Sequence, residues 1–187
     1  MSLPTVLSFS RRPHSSKLRT RAGAICAALA LMLAACSHTD SSPTATMAEV
    51  RQQMAAGQAF DAFLNLRPLA QKGDAEAQYE LGYFYHMGLV GAADFTKARA
   101  WYLRSANQGN ADAMLQLAKM NGLGQGGPVD KKEAVKWLII AGNSGKLTAD
   151  VAAKADQTRA QLADELDAAD LAAATDAAKA FQPKLES

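Results

Sequence analysis

Cysteine is almost missing from this sequence. The only two, Cys26 and Cys36, precede every segment with a folding pattern. That excludes a disulfide framework, a cysteine metal site and a thiol nucleophile in the folded part. Histidine is nearly as scarce: of His14, His38 and His86, only His86 lies in the patterned region. No His-x-x-x-His metal pair and no Ser-His-Asp set can be assembled from one such residue. Val and Ile together number nine in 187 residues. So thin a β-branched stock argues against a sandwich or barrel and for an all-α chain. Acid is absent from residues 1–36, which hold Arg11, Arg12, Lys17, Arg19 and Arg21. The formal charge of +2 rests on those five, since the remaining residues sum to −3 (15 basic, 18 acidic). The basic balance is therefore local and gives no footprint for nucleic acid.

What is present begins with a leader. Residues 22–35 are uncharged and rich in Ala and Leu. Fourteen helical residues span about 21 Å, short of the roughly 30 Å of bilayer hydrocarbon. A basic flank followed by a short apolar run is the pattern of a signal peptide. The run ends Leu33-Ala34-Ala35-Cys36. These four residues resemble a bacterial lipobox, which implies that the Cys36 thiol receives a diacylglyceryl (palmitate-type) group and that the chain is cut before it. An ordinary cut near Ala35 is the alternative. Arg11-Arg12 is followed by Pro13-His14, which does not suit twin-arginine export. Ser37 stands where an Asp would resemble an inner-membrane retention signal. The resemblance therefore implies the outer membrane of a Gram-negative bacterium, with the chain facing the periplasm. Residues 36–46 read as a flexible tether.

The central feature is an internal repeat. Residues 73–108 align without a gap on 109–144 with ten identities, where about two or three are expected by chance. They include Gly73/Gly109, Ala77/Ala113, Leu81/Leu117, Gly88/Gly124, Asp94/Asp130, Ala98/Ala134 and Trp101/Trp137. Each unit predicts two helices. Asp74 or Asn110 caps the first, and Ala77, Leu81 and Tyr85 form its apolar stripe. Glycines break it, and Asp94 or Asp130 caps the second. Ala98, Trp101 and Ala106 predict the buried face of the second helix in one unit, with Ala134, Trp137 and Gly142 in the other. Residues 47–72 fit a degenerate pair of helices with Pro68 inside the second. Residues 148–181, rich in alanine and acid, predict a helical hairpin broken near 163–166, suited to capping a stack.

These residues resemble the Sel-one-like repeat family, relatives of the tetratricopeptide repeats. The first unit carries the pattern at Ala77, Leu81, Gly82, Tyr85, Gly88, Asp94, Lys97, Ala98, Trp101, Ala106 and Gly109. The second departs at Ala118, Asn121, Glu133 and Gly142. The resemblance implies an α-solenoid of helix-turn-helix units with a C-terminal helical cap. The organisation follows as 1–35 signal peptide, 36–46 tether, 47–72 degenerate pair, 73–108 and 109–145 repeats, and 146–187 cap and tail.

No residue set points to catalysis, a metal or a cofactor. Asp164, Glu165 and Asp167 are paired acids that fit the solvated surface of an exposed helix better than a glycosidase pair. A surface is the better candidate. In stacked helix pairs the first helices line a concave side. There Glu76, Tyr79, Tyr83, His86 and Met87 of one unit adjoin Asp112, Leu115 and Lys119 of the next. Tyr79 and Tyr83 could equally pack on neighbouring helices. The reading is a membrane-anchored scaffold that holds a protein or peptide of the cell envelope, with its lipid as the membrane contact. Alternatives are an envelope hydrolase acting on cell-wall or β-lactam bonds, and a spacer that binds its own copies.

Overall fold

Four helix starts in the two units are set by the same device, a side-chain oxygen that accepts an otherwise unpaired backbone N–H. In the computed structural model, which describes residues 45–186, Asp74 accepts from Ala77 N at 2.7 Å and Asn110 from Ala113 N at 3.0 Å. Asp94 accepts from Lys97 N at 2.9 Å and Asp130 from Glu133 N at 2.8 Å. The leader, Cys36 and most of the tether lie outside the described residues.

Eight helices and no strand occur among the described residues. They are α1 (Met47–Ala55), α2 (Ala59–Gln71), α3 (Ala75–Met87), α4 (Phe95–Asn107), α5 (Ala111–Leu123), α6 (Lys131–Asn143), α7 (Ala149–Ala163) and α8 (Ala168–Ala180). Thr46 opens α1 with a capping box to Glu49. Pro68 sits in the last turn of α2. Gly88 and Gly124 end α3 and α5 in the left-handed region, φ 66° and 68°. The following loops close identically: Asp94 N donates to Tyr85 O, and Asp130 N to Asn121 O, each at 2.9 Å.

Consecutive helices pack from α1 through α7, which makes the chain an α-solenoid. Two core clusters run through it. One joins Val50, Leu66, Leu81 and Phe84, with Trp101 packed on its edge. The other joins Tyr102, Met114, Leu117, Trp137 and Ile140, with Phe181 packed on it.

Three details differ from the sequence reading. The Trp137 indole is buried, but Trp101 is only half-buried, and its neighbour Tyr102 is the fully buried ring of α4. Gly142 is exposed, with open space where a side chain would stand, while Ala141 is buried. Finally, α7 and α8 both pack mainly on α6 rather than on each other. The last difference has a physical cause. The alanine-rich faces of α7 and α8 offer each other little apolar surface. Each takes a side of α6, whose buried arc widens to include Ile140 at the position equivalent to Arg104. Ion pairs from Lys131 to Glu165 and from Lys132 to Asp170 tie α6 to the cap.

Candidate partner-binding surface

The first helices α3 and α5 carry the candidate residues, and the structure sorts these into three groups. Tyr79, Tyr83 and His86 form the first group. All three are half-buried on α3, and both tyrosines pack on the second core cluster. The Tyr79 ring lies 5.7 Å from that of Tyr102, and the His86 ring stands edge-on to Phe95 at 5.4 Å and to Tyr102 at 6.1 Å. Burial, then the Lys119 charge, holds the His86 imidazole below its ordinary range. Burial raises the Tyr79 phenol, and Asp112 adds to it. This packing brings Tyr79 and Tyr83 into the wall between repeats.

The polar margin is the second group. Glu76 is paired with Arg51 of α1, and Asp112 is exposed near the start of α5. Met87, at the end of α3, is 54% exposed.

Leu115 and Lys119 form the third group, and they open onto something the sequence did not reveal. A cavity of about 390 Å³ lies between α5 and α7. Leu138 of α6 stands at its floor, and Leu115, Leu123, Val151 and Leu162 wall it. Leu123 is 61% exposed. Lys119 and Lys154 also line it, each with an exposed side chain. The groove exists because α7 leans on α6 and leaves α5 uncovered. Its residues come from three helices, so no periodicity within one helix could signal it. The nearest hint was Leu123, an apolar residue at a helix end beside glycines.

The paired acids of the cap have other partners. Glu165 is held by Lys131, and Asp167 caps α8 by accepting from Asp170 N at 2.7 Å. Among the described residues, no group of three or more His, Cys, Asp or Glu could hold a metal ion.

Stacked helix-turn-helix units with an open groove along their first helices define a repeat solenoid of the kind that scaffolds protein–protein interactions. Residues 75–110 and 111–146 each match the Sel1 repeat. Among solved structures it is similar to c5321, a protective antigen present in uropathogenic Escherichia coli strains that displays an SLR fold. The two are 26% identical with a TM-score of 0.58, over 64% of this chain and 25% of that one. This chain thus spans about a quarter of that antigen's length. No curated protein matches the chain significantly.

Proposed function

We propose that this protein is a lipid-anchored scaffold of a Gram-negative cell envelope. Cys36 is acylated in the outer membrane, and the solenoid faces the periplasm and holds a protein or peptide in the groove between α5 and α7. The anchor rests on the leader and on Leu33-Ala34-Ala35-Cys36. Each acyl CH₂ buried contributes about 0.8 kcal/mol, so two or more chains hold the protein at the bilayer. No helix of the described residues is long and apolar enough to cross a membrane.

The groove carries the binding half of the proposal. An open apolar trough with lysines at its margin fits an amphipathic segment that inserts two or three apolar anchors and flanks them with acid. Anchoring concentrates the scaffold in a thin layer beside the membrane, which raises effective concentration without any new contact.

The experiment is capture of envelope partners by the full chain and by its Leu123→Glu/Val151→Glu variant. Both side chains are exposed, so the melting temperature should stay close to the parent's. Loss of a captured species supports the groove. Undiminished capture by a folded variant would contradict it.

A further inference from the structure

Beyond α8 the chain turns back on itself. Residues 182–186 run across the turns that join successive hairpins, against the order of the repeats. Lys184 N donates to Asn107 O at 2.8 Å, and Glu186 N donates to Gln108 Oε1 at 3.3 Å. Pro183 lies on Gly109, where a Cβ would stand 3.3 Å from the proline ring. Glu186 lies on Gly73, where a Cβ would stand 3.0 Å from its own Cβ. Gly73 and Gly109 are the same position of successive units, 36 residues apart. Three extended residues cover about 10 Å, close to the about 8–10 Å between packed helices. The tail thus sets one residue on each inter-repeat turn.

The seat for Glu186 is built from the repeats. Gln78 is fully buried. Its amide nitrogen donates to Ala70 O at 3.1 Å and to Glu186 Oε2 at 2.7 Å, and its oxygen accepts from Gln108 Nε2 at 2.8 Å. Gln108 Nε2 also donates to Gly73 O at 2.9 Å. Arg104 Nε donates to Glu186 Oε1 at 3.0 Å, and Arg104 Nη2 takes the second oxygen. The guanidinium itself stacks over Trp101, 4.7 Å from the ring centre. A buried amide is stable only when its donors are used. One donor of Gln78 is used by a carboxylate that arrives from 108 residues downstream. A paired planar fork and a buried amide are what carboxylate recognition needs.

We propose that this turn edge is a recognition site for an extended peptide carrying a proline and, three residues on, a glutamate, with one anchor per repeat. The chain's own tail is its resident ligand, and a partner segment of the same pattern competes for the seat. Glycine at both turns admits the anchors, the Asn107 carbonyl fixes the strand, and Arg104 with Gln78 reads the carboxylate. Arg104, then Gln78, also holds the Glu186 carboxyl below its ordinary range. The tethered tail acts at an effective concentration on the order of millimolar, so a competitor gains the site only when the tail is loosened or outmatched. This edge is separate from the groove between α5 and α7, and its test stands independently.

The test uses the full chain and a labelled peptide with the sequence of residues 182–187. Lys184→Pro with Glu186→Ala loosens the resident tail by removing one backbone donor and the carboxylate. That variant should bind the peptide at least tenfold more tightly than the parent does. A peptide with Gln in place of its glutamate should bind at least tenfold more weakly, as should the loosened variant carrying Arg104→Ala. Equal binding of the two peptides, equal binding by parent and loosened chain, or no binding up to millimolar peptide would overturn the proposal. Hydrogen exchange gives a second readout. The Lys184 and Glu186 amides should exchange at least tenfold more slowly in the parent than in Arg104→Ala, and unprotected amides in the parent would also overturn it.

Discussion

The Phe181 ring stands edge-on to the Trp137 indole, with centroids 5.7 Å apart and planes at 72°. This contact helps close the second repeat against the end of α8. The equivalent Trp101 has no such cover; it carries the Arg104 guanidinium on its face. Trp137→Ala should therefore cost about 3–5 kcal/mol, as for a buried aromatic. Trp101→Ala should cost less, about 1–3 kcal/mol. Equilibrium urea unfolding measures both. Equal losses would mean that the two indoles are equally buried.

Two glycines within helices should respond to alanine with opposite signs. At Gly82 a Cβ would meet Tyr102 Cδ1 at 2.7 Å and Cε1 at 2.8 Å. Overpacking of about 1–3 kcal/mol outweighs a helix-propensity gain of up to about 1 kcal/mol, so Gly82→Ala should lower the melting temperature. The equivalent positions in the next unit are Ala118 and Leu138, a larger residue facing a smaller one. At Gly142 the space is open, and Gly142→Ala should add about 0.5–1 kcal/mol.

His86 should make stability depend on pH near neutrality. The rings of Phe95 and Tyr102 bury it, and Lys119 is the charge acting on it. Its folded pKa lies below the ordinary 6.5. The unfolded chain therefore takes up the proton first, and stability falls as pH drops through the ordinary value. His86→Phe should flatten the melting temperature between about pH 7.5 and about pH 5.5. An unchanged slope would contradict this.

Much of the fold could be read from the residues. The 36-residue register, the four equivalent caps and the break ending α7 follow from local patterns that act within a turn or two of helix. What escaped was set by contacts distant in sequence. The widened arc of α6, with Ile140 in and Gly142 out, depends on α7 and α8 both choosing that helix. The groove needs Leu123 and Val151, which belong to different helices. The seat of Glu186 needs Gln78, Arg104 and Gln108, while residues 182–186 show no periodicity of their own. Tyr79 and Tyr83 fitted two readings because a residue in the wall between repeats and one lining a groove share the same helical spacing.

The anchor has its own test. Mass spectrometry of the mature protein should find Cys36 as an acylated N-terminus, and Cys36→Ser should release the chain from the membrane fraction. An unmodified Cys36, or a chain cut elsewhere, would contradict the lipid anchor.

The central claim is that partners enter between α5 and α7. A photo-crosslinking residue placed at Leu123 in intact cells probes this directly, with the same residue at the exposed Asp61 of α2 as the control. The account predicts a discrete adduct from position 123 that is absent from position 61 and disappears with Val151→Glu. Adducts of equal yield from both positions, or none from position 123 while position 61 crosslinks, would contradict it.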